Sequence, residues 1–214
     1  MFHITVAMIK AFILDLDNTI YPVRSIGDEL FSHLLNLFEE YKDKVSQQDL
    51  DGAKNDIMSK PFQLVADKYH FPKELKDKGI ALLRNLTYDK PMKAFDEYAF
   101  VRSLPFEKFL VTTGFEKLQW SKVKMLGIGN DFKKIYIVDP DKSAMTKKDI
   151  FEQIMKEFNY QPEELLVIGD DPESEIKHAK TLGIKTFLYD PENNHPHAEA
   201  DLKAKSFKEV TTLL

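Results

Sequence analysis

The sequence predicts an α/β protein built on a doubly wound parallel sheet, with an all-helical segment inserted after the first strand. Three observations carry this reading. Short apolar runs at 11–14, 109–112, 135–138, 165–168 and 184–189 are separated by helical patterns, the alternation of βαβ units. The first run is continuously apolar, which suits a central strand buried on both faces. Residues 22–105, between the first and second runs, show helical periodicity and no convincing strand. The expected division is therefore a core made of 1–21 and 106–214, with 22–105 inserted into it.

The first strand, Ala11-Phe12-Ile13-Leu14, runs into Asp15-Leu16-Asp17-Asn18-Thr19-Ile20-Tyr21. Side chains two apart on an extended chain share a face, so Asp15 and Asp17 emerge side by side at the strand's carboxyl end. That end is where open α/β sheets bind ligands. Two carboxylates 4 Å apart repel by roughly 4 kcal/mol at an effective dielectric near 20. A hard divalent cation is the simplest neutralising partner.

Pro22–Gly27 reads as a linker. Leu30, Phe31, Leu34, Leu35, Leu37 and Phe38 then recur at helical spacing. Further helices are expected over 48–60, 62–69, 73–86 and 92–104, with Pro61, Pro72 and Pro91 at their first turns. After the insert, Phe109-Leu110-Val111-Thr112 ends in Thr113-Gly114. A helix over 116–126 follows, then the strand 135–138, a helix over 147–158 and the strand 165–168, which leads into Gly169-Asp170-Asp171-Pro172. A helix over 173–182 ends at Gly183, a residue suited to a left-handed cap. The strand 184–189, a polar loop 190–197, and a final helix 207–214 opened by a Ser206…Glu209 capping box complete the chain. Trp120, on the helix after Thr112, reads as a core residue. The six His show no zinc-site spacing, and His195 and His197 fall in a loop read as solvated.

Composition narrows the function. The 214 residues are 43% hydrophobic and 30% charged with a net charge of −5, a balance that disfavours a nucleic-acid polymer as partner. There is no Cys, so there is no disulfide framework and no thiolate zinc site. No apolar run reaches the length of a membrane-spanning helix, and Met1–Ile9 lacks a basic start and a small-residue cleavage site. Met8 is expected to be the natural start and the location cytoplasmic.

Three strand ends and one helix start carry residues able to handle phosphate and metal. These are Asp15 and Asp17, then Thr112, then Asp170 with Asp171, while Lys147 or Lys148 opens the helix before that last strand. Taken together they resemble the haloacid dehalogenase superfamily, of the phosphatase kind with a helical cap after the first motif. Asp15-Leu16-Asp17-Asn18-Thr19 matches its first motif, and Val111-Thr112-Thr113-Gly114 resembles its second, with Thr113 where Asn is common. Ile168-Gly169-Asp170-Asp171 through Glu175 resembles its acidic motif, with Glu175 where Asp is usual. The lysine motif lacks its proline; Lys147 is the first choice, with Lys148 and Lys142 open.

The resemblance implies a phosphatase acting on a small phosphorylated metabolite, a nucleotide or sugar phosphate among the candidates. Asp15 is then the nucleophile and Asp17 the general acid and base. Mg²⁺ is held by the Asp15 and Asp170 carboxylates and the Asp17 backbone carbonyl. Thr112, the amides of Thr113 and Gly114, and Lys147 grip the phosphoryl group, while Asp171 and Glu175 orient Lys147 or metal waters. The alternatives are a phosphomutase or a catalytically silent binding protein of the same fold. A phospho-acceptor signalling module uses similar residues, but the Asp15–Asp17 spacing and the insert disfavour it. Tyr21 and Arg24 are candidates to touch substrate, and Asp-Asn-Thr-Ile-Tyr-Pro is similar to nucleotidase-like members.

Overall fold

The computed structural model describes residues 8–214. Residues 1–7 lie outside it, and with them most of the stretch read above for signal-peptide features. The strands are β1 (Ala11–Leu14), β2 (Glu107–Thr113), β3 (Lys134–Val138), β4 (Leu165–Gly169), β5 (Lys185–Tyr189) and β6 (Leu202–Ala204). They form one parallel sheet in the order β3-β2-β1-β4-β5-β6. The order reverses between β1 and β4, so the crevice at their carboxyl ends is the natural ligand site. Leu14 pairs with Leu110 on one side and Ile168 on the other, which sets Asp15 beside Asp170 and near Thr112.

Helices cover both faces because the strand side chains alternate. Ala11, Ile13, Phe109, Val111, Leu165 and Val167 pack with Ile150, Phe151 and Ile154 of α8 (Lys147–Phe158). Phe12, Leu14, Leu110, Leu166 and Ile168 pack on the opposite side with Leu118 and Val123, which lie on the helix Glu116–Leu126 (α7 below). The insert joins that second core. Its helices are α1 (Gly27–Leu30), α2 (Ser32–Glu39), α3 (Gln47–Asp56), α4 (Phe62–Lys68), α5 (Lys73–Asn85) and α6 (Tyr98–Ser103), with α7 following β2. Phe38 is fully buried at their centre, its ring 6.3 Å from Phe62 and 5.3 Å from Phe71.

Several boundaries differ from expectation. Residues 92–97 are not helical, because the Phe95 amide donates to Ile20 O at 2.8 Å and the Glu97 carboxylate accepts from Ser206 and the Phe207 amide. Tertiary partners there replace helical ones. The helix expected over 48–60 stops at Asp56. The helix expected at 173–182 opens with a π-turn, Pro172–Ile176, before α9 (Lys177–Thr181), and Gly183 ends it at φ +73°. The Ser206–Glu209 capping box is present but opens a 3₁₀ segment, Phe207–Leu213. Strand β6 was not expected; its three residues are too few to give a periodic signal.

Trp120 is 45% exposed, contrary to its reading as core. The buried face of α7 carries Leu118, Gln119, Lys122 and Val123, which turns Trp120 outward. No helix among the described residues is long and apolar enough to cross a membrane.

Replacing the buried Phe38 with Ala leaves a cavity the surrounding helices fill only in part. Phe38→Ala is expected to lower the unfolding free energy by about 3–5 kcal/mol, read from urea denaturation.

Candidate active site

β1 ends at Leu14, and the ladder extends one residue further through the Asp15 amide, which donates to Ile168 O at 3.0 Å. Asp15 is thereby fixed by backbone. Its carboxylate accepts from Lys147 Nζ at 2.6 Å, and Lys147 donates also to Glu175 at 2.7 Å. All three side chains are buried. Lys147 stands at the first turn of α8, whose Thr146–Asp149 capping box fixes the helix start and so the direction from which the lysine arrives. Of the three candidate lysines it alone reaches the site. Lys148 lies half-buried 3.7 Å from Glu152, and Lys142 is exposed and pairs with Glu116.

Glu175 reaches Lys147 through two local features. The π-turn turns its carboxylate back, so that the Asp171 amide donates to its second oxygen at 2.8 Å. Gly169 leaves it room: a Cβ there would lie 2.2 Å from Glu175 Oε1. Asp171 does not join this group. Its carboxylate caps the π-turn by accepting from the Glu173 amide at 2.8 Å. Asp170 takes a hydrogen bond from the Thr19 hydroxyl at 3.2 Å.

Carboxylate oxygens of Asp15, Asp170 and Glu175 lie within 4.8 Å of one another. Both Glu175 oxygens are occupied, so Asp15 and Asp170 are the two carboxylates left to hold a cation. Burial, with repulsion from Glu175 and Asp17, raises the Asp15 pKa to about 7 in spite of Lys147. Burial, with Glu175 and Asp15, puts Asp170 well above its usual value. The cluster carries more negative charge than Lys147 offsets, and hard oxygen donors in that state fit a divalent cation such as Mg²⁺.

Asp17 is held apart from this cluster. Its carboxylate accepts from Tyr21 at 2.5 Å, from Gln119 Nε2 at 3.0 Å, and from Lys122 Nζ at 2.8 and 3.0 Å. Burial opposes its ionisation, but the Lys122 charge and these hydrogen bonds hold its pKa below the usual value. Its backbone carbonyl is the atom that remains for a metal. Gln119 also donates to Thr112 Oγ1 at 2.6 Å, leaving the Thr112 hydroxyl proton free to point into the site. Gln119 and Lys122 were not anticipated. The available signal was two polar residues three apart on the face of α7 that also carries Leu118 and Val123. Tyr21 is buried and serves Asp17, while Arg24 is exposed and outside the lining of the cavity.

A cavity of about 710 Å³ opens over these groups. Asp15, Thr112, Thr113, Gly114, Lys147 and Asp170 lie on its core side, and α2, α4, α5 and the 57–61 segment line the other. Asn18, in the left-handed region at φ 55°, ties the two sides: its side-chain amide donates to Met58 O at 3.0 Å and its carbonyl oxygen accepts from the Val23 amide. His195 is half-buried on the cavity lining instead of solvated, while His197 is exposed.

Residues 9–183 match the family described as haloacid dehalogenase-like hydrolase. The chain is 32% identical over 98 residues to a glyceraldehyde 3-phosphate phosphatase of Pyrococcus furiosus, a match covering 46% of this chain but only 40% of that relative. A second glyceraldehyde 3-phosphate phosphatase, from Methanopyrus kandleri, is 23% identical over 193 residues, 84% of this chain and 83% of that one. The fold superposes on a magnesium-bound HAD hydrolase of Bacillus subtilis with a TM-score of 0.64 at 16% identity, over 97% of this chain and 99% of the other.

The raised pKa of Asp15 predicts a pH dependence. Its folded-state value, about 7, lies above the ordinary 3.8, so between those limits the folded chain binds more protons than the unfolded one and loses stability as pH rises. Asp17 and Glu175, both lowered, act only below about pH 4. In EDTA the urea midpoint should fall from pH 5 to pH 8, less so in Asp15→Asn, and Mg²⁺ should restore it. A midpoint flat across that range would contradict the assignment.

Proposed function

The chain belongs to the haloacid dehalogenase-like hydrolases, and from that premise we propose that it is a Mg²⁺-dependent phosphatase acting on a small-molecule phosphomonoester through an aspartyl-phosphate on Asp15. The observation that carries the proposal is the convergence of Asp15, Lys147 and Asp170 beside Thr112 at the floor of one cavity.

Asp15 Oδ attacks phosphorus, the bond to the ester oxygen breaks, and the phosphoryl group passes to the carboxylate. Lys147, the Thr112 hydroxyl and the Thr113 and Gly114 amides bind the phosphoryl oxygens over which charge spreads. Asp15, Asp170 and the Asp17 carbonyl would hold a divalent cation, whose charge would offset the repulsion between carboxylate and phosphate. Glu175 orients Lys147.

Asp17 protonates the departing alkoxide and then takes a proton from the water that hydrolyses the aspartyl-phosphate. In the resting site the Lys122 pair keeps Asp17 ionised, so the acid step needs a proton from elsewhere. A phosphomonoester, with a second pKa near 6, can bring it. Asp17 must also leave Lys122 to reach the ester oxygen. The relatives named as glyceraldehyde 3-phosphate phosphatases support the reaction class.

Asp15→Asn should abolish phosphate release from p-nitrophenyl phosphate, and EDTA should stop it until Mg²⁺ is returned. Asp17→Asn should slow turnover by about 10²- to 10⁴-fold, seen in steady-state assays. Wild-type rates in Asp15→Asn would remove the covalent route.

A further inference from the structure

The two sides of the cavity differ in chemistry. The core side supplies the charges and hydroxyls that bind a phosphoryl group. Facing it, the insert contributes Leu34, Met58, Phe62, Leu64 and Leu83. Polar side chains from the insert are confined to residues 59–63, of which Ser59 and Lys60 are exposed. Two of the large apolar side chains left in solvent also line this cavity. Leu64, on α4, is 60% exposed, and Met145, on the loop before α8, is 44% exposed. They approach from opposite sides, one from the insert and one from the core. Exposed apolar side chains around a concave site mark a surface that an apolar ligand covers.

Resting on the phosphatase reading above, we infer that the leaving group of the physiological phosphomonoester is an extended apolar alcohol, aliphatic or aromatic. A triose or an amino acid would fill a small part of about 710 Å³ and leave Leu64 and Met145 in water. A sugar would set hydroxyls against Leu34, Phe62 and Leu83, apolar side chains that offer them neither donor nor acceptor. An apolar chain extending from the phosphoryl group removes the same side chains from water and brings no polar group that needs a partner there, while the buried Nε2 of Gln63 stays without one.

The test is a homologous series of n-alkyl phosphates, ethyl to octyl, assayed with Mg²⁺ beside glyceraldehyde 3-phosphate, phosphoserine and ribose 5-phosphate. The kcat/KM should rise by about fourfold per methylene across the first members, as burial of each CH₂ requires. Leu64→Gln and Met145→Gln should flatten the slope with an unchanged thermal midpoint. A flat series, or a polar ester preferred over octyl phosphate, overturns the inference and leaves the phosphatase reading standing. If no ester is hydrolysed, that reading fails, and calorimetry with n-alkylphosphonates decides the inference by itself. Affinity that grows with chain length supports it; affinity independent of length overturns it.

Discussion

Lys147 sits between two buried carboxylates, Asp15 at 2.6 Å and Glu175 at 2.7 Å, and the rest of the site is arranged to keep it there. Removing one partner of a buried pair costs about 3–5 kcal/mol, because the other charge is left without water or counter-ion. The fold supplies what such a group needs. Backbone ladder bonds fix Asp15, a capping box fixes the start of α8, and a π-turn beside a residue without Cβ brings Glu175 into reach. Three carboxylates and one ammonium, counting Asp170, leave two negative charges, the amount a divalent cation carries. The raised pKa values of Asp15 and Asp170 express the same imbalance.

Asp17 lies two residues from Asp15, yet it belongs to a different electrostatic environment. Lys122, Gln119 and Tyr21 satisfy it, so the two carboxylates that repel in an extended chain are stabilised by separate lysines. Asp15 meets a cation shared with Glu175, and Asp17 meets one of its own. That separation suits the two tasks proposed for them, one bonding to phosphorus and one exchanging a proton. Gln119 joins the stations, donating to both Asp17 and Thr112.

The sheet, its helices and the acidic strand ends were legible because each is a local pattern. A buried parallel strand is an apolar run, and its carboxyl end is the next residue along. Lys147 was the first choice in the sequence, but Lys148 and Lys142 stayed open, since lysines close together in the chain cannot be told apart by the direction they point. Lys122 and Gln119 were hidden for a related reason: a polar residue on a helix reads as solvent-facing until its long-range partner is known. Trp120 was misread by the same logic, its inward position being occupied by those polar side chains. Residues 92–97 failed differently. Pro91 permits a helix there, but the hydrogen bonds to Ile20 and from Ser206 and Phe207 come from chain far away in sequence.

The junction at Asn18 bears on how the chemistry and the apolar wall work together. Asn18 adjoins Asp17, and its side-chain amide holds the backbone of Met58, itself part of the cavity lining that also includes Asp15. In the mechanism we propose, an ester bound with phosphorus at Asp15 presents its bridging oxygen to Asp17 and its alcohol to the insert. The body of the alcohol therefore runs along the side of the cavity that Asn18 anchors to the catalytic loop. Contacts made there, remote from phosphorus, can contribute to catalysis only if the wall holds its position relative to Asp17. A left-handed residue whose amide spans catalytic loop and insert supplies that fixed distance.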